Sequence, residues 1–128
     1  MDYETLKGLC HSETLLVEHK DTAAVYGSGS LEVFATPAMI ALMEKTCLES
    51  VNDKIGEENT TVGILVNIKH LKASPVGAMI RCEATLVEVD RKRLVFEVRC
   101  FEGDTLIGEG FHERFVVDSE KFMGRCKK

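Results

Sequence analysis

Three residues of this chain have side chains suited to hydrolysis: Thr36, Glu44 and His70. A hydroxyl, a carboxylate and an imidazole can serve as nucleophile, water-positioning group and proton carrier. Glu44 follows an unbroken apolar run, Ala38-Met39-Ile40-Ala41-Leu42-Met43. If that run is a buried helix, the carboxylate needs a partner or a raised pKa, because burying an ionised carboxylate alone is costly. The plainer reading turns Glu44 to a wet helix edge beside Lys45. His70 ends an alternating series, Val62, Ile64, Val66, Ile68, His70, which places all five on one strand face. It is there either as a core histidine held by a backbone carbonyl or as a general base facing the helix. Thr36 precedes Pro37 and reads as the N-cap of the same helix, with proline at the first helical position. A helix N-terminus also gathers free N–H groups and positive dipole, which favour a developing oxyanion.

Thr36 and Glu44 are eight residues apart, a rise of about 12 Å along a helix. Helical side chains lean toward the N-terminus, so Glu44 tilts back toward Thr36. The gap is still too long for a direct hydrogen bond. An imidazole or a substrate carbonyl has to lie between them, and His70 is the candidate.

The other histidines have weaker contexts. His11 and His19 lie among polar residues and read as solvated. His112 precedes Glu113 and Arg114 on a strand, where an arginine is ordinarily an edge or ion-pair residue. The five cysteines are odd in number and lack CxxC spacing, which argues against a disulfide framework and a zinc site and for reduced core thiols in the cytoplasm. No His/Cys/Asp set has metal-ligand spacing, and neither GxGxxG nor GxxxxGK[ST] occurs. Neither metal nor cofactor is therefore expected.

The elements that must position these groups follow from pattern. A chain of 128 residues suits one domain, residues 1–128, with a single core. A formal charge of −5 disfavours nucleic acid as a partner. The N-terminus lacks the basic and apolar regions of a signal peptide, and no apolar run is long enough to span a bilayer. Strands are expected over Thr14–Lys20 and Thr22–Tyr26, then a loose Gly27-Ser28-Gly29-Ser30 stretch. A helix follows from about Thr36 to Asn52, apolar on every side in its first half and therefore buried, with Gly56 as a terminator beyond it. A strand from Thr60 is broken at Pro75 and Gly77. Three more follow, about Met79–Val89, Leu94–Phe101 and Leu106–Val117, the first two joined at Asp90–Arg93 and the last two at Glu102–Asp104. One buried helix among these strands implies an α+β fold, with a curved antiparallel sheet wrapped around a central helix.

Several segments together resemble a known family. They are Glu32-Val33-Phe34-Ala35-Thr36-Pro37, Leu42-Met43-Glu44-Lys45-Thr46-Cys47, Val62-Gly63, Val66-Asn67-Ile68-Lys69-His70, Ser74-Pro75-Val76-Gly77, Gly110-Phe111-His112-Glu113-Arg114 and Glu120-Lys121-Phe122. In order and spacing this series resembles the fluoroacetyl-CoA thioesterase-like branch of the hotdog superfamily. The resemblance implies a hotdog fold, acyl-CoA as substrate, and a homodimer formed by side-by-side sheets, or a higher homo-oligomer. It also implies catalysis by Thr36, Glu44 and His70, with substrate contacts from the Gly63 backbone N–H and from Arg114. The fluoroacetate-selective enzyme of this branch carries an aromatic lid just before the Val-Phe-Ala-Thr block, whereas this chain has Gly27-Ser28-Gly29-Ser30-Leu31. Hydrolysis of a general short-chain acyl-CoA is therefore expected. The alternatives are a non-catalytic acyl-CoA or fatty-acid sensor on the same fold, and a hydratase, whose usual Asp–His motif is missing.

Overall fold

The computed structural model describes residues 2–127. Five strands form one antiparallel sheet: β1 (Cys10–Leu16), β2 (Asn59–His70), β3 (Met79–Asp90), β4 (Arg93–Glu102) and β5 (Thr105–Asp118). Their order across the sheet is β1-β3-β4-β5-β2, so β1 and β2 are its edges. The turns at both central hairpins are two residues long, and Arg91 and Gly103 adopt φ values of 59° and 60° there. That left-handed conformation matches the twist of a tight hairpin.

Between β1 and β2 the chain forms a short helix α1 (Ala23–Tyr26) and the long helix α2 (Thr36–Val51). Helix α2 packs across one face of the sheet and touches all five strands. Met39, Met43, Cys47 and Val51 repeat every four residues along one stripe and are fully buried. They meet the inward pairs Cys82–Cys100, Ala84–Val98 and Leu86–Phe96 of β3 and β4. The opposite stripe is more open: Ala41 and Lys45 are exposed. The helix is thus covered on one side and not all round, contrary to what its composition suggests.

The N-terminal part departs further from expectation. The first strand ends at Leu16, because residues 18–21 close a reciprocal capping turn in which Asp21 Oδ2 accepts from the Glu18 backbone N–H at 2.9 Å. The segment Thr22–Tyr26 is a helical turn and not a strand. Thr22 caps it, with Oγ1 accepting from the Val25 N–H, and Gly27 ends it at φ 75°. These local side-chain bonds outweigh the strand propensity of the segment. At the C-terminus, Asp118 caps an unforeseen helix α3 (Ser119–Cys126).

A second departure lies in β2. Its pairing with β5 runs Val62–Phe115 and Gly63–Arg114, then resumes at Leu65–Glu113 and Val66–His112. Ile64 is the extra residue of a β-bulge, so the face changes phase there. Val66, Ile68 and His70 share the inward face as their alternation implies, while Val62 sits opposite the outward Phe115. The bulge places Thr61 and Gly63 on the inward face, opposite Val116 and Arg114.

Candidate active site

Thr36 is the first residue of α2, and Ala35 occupies the cap position without a side-chain hydrogen bond. The threonine hydroxyl is therefore not used as a cap. Its Oγ1 lies 2.8 Å from His70 Nδ1, at the C-terminal end of β2. His70 is half-buried with its ring edge-on to Phe34, and burial pushes its pKa below the usual histidine value, partly offset by the Lys72 backbone. Its Nε2 is buried and lacks a hydrogen-bond partner among the described residues. Unsatisfied buried nitrogens are rare and call for an explanation, of which a working role is one. Beside this pair opens a cleft of about 290 Å³ lined by Ala23, Ser28, Val33, Phe34, Leu71, Lys72 and Ala73 as well as Thr36 and His70. A larger open depression of about 460 Å³ lies over Cys10–Ser12 and Glu83–Thr85, and it contains none of the candidate residues.

Glu44 belongs to a different cluster. It is half-buried and faces Gly63 of β2, while the neighbouring Lys45 is exposed. A Cβ built on Gly63 would lie 3.1 Å from Glu44 Oε2, 3.2 Å from His112 Cε1 and 3.6 Å from Arg114 Nη1. The missing side chain is what lets these groups close over the strand. Arg114 is 6% exposed, so it is not the solvated edge residue that an arginine on a strand ordinarily is. Its Nε donates to Thr61 Oγ1 at 2.7 Å and its Nη2 to the Thr61 carbonyl at 2.8 Å. No carboxylate lies within 4 Å of it among the described residues, and burial pulls its pKa down, while Cys47 and Glu44 act in the opposite direction.

The structure thus brings Thr36 and His70 together, and separately Glu44, Gly63 and Arg114. Gly63 and His70 are seven positions apart along β2, about 20 Å of extended chain. Sequence reasoning missed His112, which is 1% exposed and sits beside Arg114. The available signal was its phase: His112, Arg114 and the apolar Val116 alternate along one face of β5.

The model of the fluoroacetyl-CoA-specific thioesterase family (FlK) matches residues 17–120, which include all five candidate residues. The chain belongs to this family. A fluoroacetyl-CoA thioesterase from Streptantibioticus cattleyicolor is 33% identical over 97 residues, 76% of this chain and 70% of the relative. A crystallised FlK variant in complex with acetyl-CoA superposes with a TM-score of 0.89 at 28% identity, covering 94% of this chain and 96% of that one. A hot-dog-like protein from Thermanaerovibrio acidaminovorans superposes at 0.90 with 22% identity, over 98% of this chain and 95% of its own, which supports the fold alone. The fold is the hotdog, and membership of the fluoroacetyl-CoA-specific thioesterase family makes this chain a thioester hydrolase.

Proposed function

We propose that this enzyme hydrolyses a short-chain acyl-CoA thioester to the free acid and CoA, with Thr36, Glu44 and His70 as its catalytic set. The observation that carries the assignment is the 2.8 Å contact between Thr36 Oγ1 and His70 Nδ1 at the mouth of a cleft. With its pKa lowered by burial, His70 is neutral at pH 7 and Nδ1 can take the threonine proton. The hydroxyl oxygen then adds to the thioester carbonyl. Collapse breaks the C–S bond, and the proton passes from His70 to the departing CoA sulfur. Water, deprotonated at His70, releases the acid and returns the proton to Thr36. The Gly63 N–H and Arg114 contact the substrate, and the Glu44 carboxylate beside them orients water.

These groups serve one substrate if two copies pair. β2 is an edge strand, and Ile64, Leu65 and Val66 on it are 51%, 42% and 44% exposed. Exposed apolar edges are ordinarily covered. Antiparallel pairing of β2 with its own copy, about a two-fold axis near the middle of the strand, brings the Gly63 end of one protomer alongside the His70 end of its partner. Each homodimer then has two sites, each built from Thr36 and His70 of one protomer and Glu44, Gly63 and Arg114 of the other. Among the described residues no helix is long and apolar enough to cross a membrane, in keeping with a cytoplasmic enzyme.

Thiol release from a panel of acyl-CoA substrates tests the reading. The expected result is turnover of acetyl- to butyryl-CoA that falls at least ~100-fold in the Glu44→Ala/His70→Ala double variant. Wild-type rates no faster than those of that variant would end the proposal.

A further inference from the structure

His112 lies between two groups of opposite hydrogen-bonding character. Its Nδ1 is 2.8 Å from the Leu65 carbonyl oxygen, which can only accept. Its Nε2 is 3.1 Å from Arg114 Nη1, which can only donate. Both contacts are satisfied together only by the neutral ring with its proton on Nδ1. The Leu65 carbonyl flanks the bulge at Ile64, and Arg114 continues the chain of bonds to Thr61 through Nε and Nη2. Two side chains of β5 therefore reach across to β2 on both sides of Gly63, at residues 61 and 65.

We infer that His112 is a positioning residue: it locks the β2 bulge that presents the Gly63 N–H and aims the Arg114 guanidinium at the substrate. The inference rests on the thioesterase reading above and adds a residue to it. His112 itself does not touch the Thr36–His70 pair, which lies at the far end of β2. Its backbone is in register with Val66, and its Cε1 packs 3.2 Å from the place a Gly63 Cβ would take. A doubly protonated ring would set a second donor against Nη1 and break the clamp. The surroundings oppose that state: burial disfavours the imidazolium most, and Arg114 adds to this. The Leu65 carbonyl, Glu44 on α2 and Glu113 on β5 pull in the opposite direction without reversing the shift.

The two bonds can be removed separately. In His112→Asn the amide nitrogen replaces Nδ1 and keeps the bond to Leu65, but the acceptor for Arg114 is lost. In His112→Gln the amide oxygen replaces Nε2 and keeps the acceptor, but the Leu65 bond is lost. For acetyl-CoA hydrolysis, kcat is expected to fall about 100-fold in His112→Asn and no more than about tenfold in His112→Gln, with KM within about threefold in both. A purely structural role predicts instead equal losses in the two variants, or losses that follow melting temperature, and either outcome overturns the inference. A second measurement needs no turnover. Long-range ¹⁵N–¹H spectra of the wild-type protein at pH 7 should contain a neutral Nδ1–H histidine that disappears in both variants. An Nε2–H or doubly protonated ring at this position refutes the clamp even where both variants fail to fold. A wild-type protein that hydrolyses no acyl-CoA would remove the functional reading, and the tautomer would still decide whether the clamp exists.

Discussion

Mixing two inactive variants provides a quantitative test of the composite site. In one chain, Thr36 and Glu44 are separated by about 12 Å of helix, and His70 and Gly63 by about 20 Å of strand. A single thioester carbonyl needs its attacking and stabilising groups within about 3 Å, so the groups of one protomer cannot all reach it. His70→Ala and Glu44→Ala are each expected to lose at least ~100-fold in kcat. In a mixed dimer of the two, one site takes Glu44 from the first chain and His70 from the second and is intact. The other site lacks both. Random association makes half of the dimers mixed, each with half its sites restored, so co-expression should recover about a quarter of wild-type activity per protomer. Mixed dimers isolated through two different tags should give about half. The assay is thiol release from acetyl-CoA, normalised to protein. Activity in isolated mixed dimers no greater than that of the two parents would refute the composite site. A monomer by light scattering at micromolar concentration would do the same.

Thr36→Val should reduce hydrolysis at least ~100-fold yet cost less than ~1 kcal/mol in denaturant unfolding, because the hydroxyl does not cap α2. A stability loss typical of a missing cap, with activity retained, would restore the capping role. Gly63→Ala should fold but lower kcat about tenfold or more, since the new methyl would sit 3.1 Å from Glu44 Oε2 and 3.2 Å from His112 Cε1. Unchanged kinetics would show that these neighbours yield without consequence. Unfolding free energy should be lower at pH 5 than at pH 7.5. His70 and His112 both have pKa values depressed by burial, so the unfolded chain binds the extra protons first, and the stability present above the ordinary histidine pKa near 6.5 is lost as pH falls through the depressed folded values. His112→Gln should flatten that dependence, and an unaltered slope would mean that His112 does not titrate in this range.

The parts of the fold that were legible in the sequence are those governed by local pattern. Periodicity places the long helix over 36–52 against an observed Thr36–Val51, and β3, β4 and β5 each within about two residues of their observed bounds. Charged or glycine-containing turns bounded them clearly. The failures come from single hydrogen bonds. The bond between the Glu18 backbone N–H and Asp21 converts an expected strand into a capping turn, and Thr22 Oγ1 with Gly27 converts the next into a turn of helix. Shifting Thr36 by one position, from cap to first helical residue, frees its hydroxyl for His70, and a composition-based reading has no means of seeing that shift. The Ile64 bulge was equally hidden. An alternation of Val62, Ile64, Val66 and Ile68 looks unbroken in sequence, and only the pairing with β5 shows the change of phase. For the same reason pattern alone does not show that Arg114 is buried. Its burial depends on Thr61, 53 positions away, which supplies both a hydroxyl and a carbonyl to hold the guanidinium.

The cleft beside Thr36 bears on the choice of acyl group. At about 290 Å³ it lies at the small end of ligand pockets. Val33, Phe34 and Leu71 give it an apolar wall, while Ser28 and Lys72 leave one side polar. The stretch Gly27-Ser28-Gly29-Ser30 that borders it carries no ring to close over a bound acyl group, and all four residues are exposed. An enzyme that selects one small substituent has to exclude water and fill the remaining space, because one methylene in an apolar pocket is worth only ~1–3 kcal/mol. With an open polar side, the cleft has little to distinguish acetyl from its halogenated analogue. The expected specificity is therefore shallow: kcat/KM for acetyl-, propionyl- and fluoroacetyl-CoA within about tenfold of one another. A fluoroacetyl-CoA preference above ~100-fold would mean that selection arises elsewhere, and the Arg114–Gly63 cluster of the partner subunit would become the place to look.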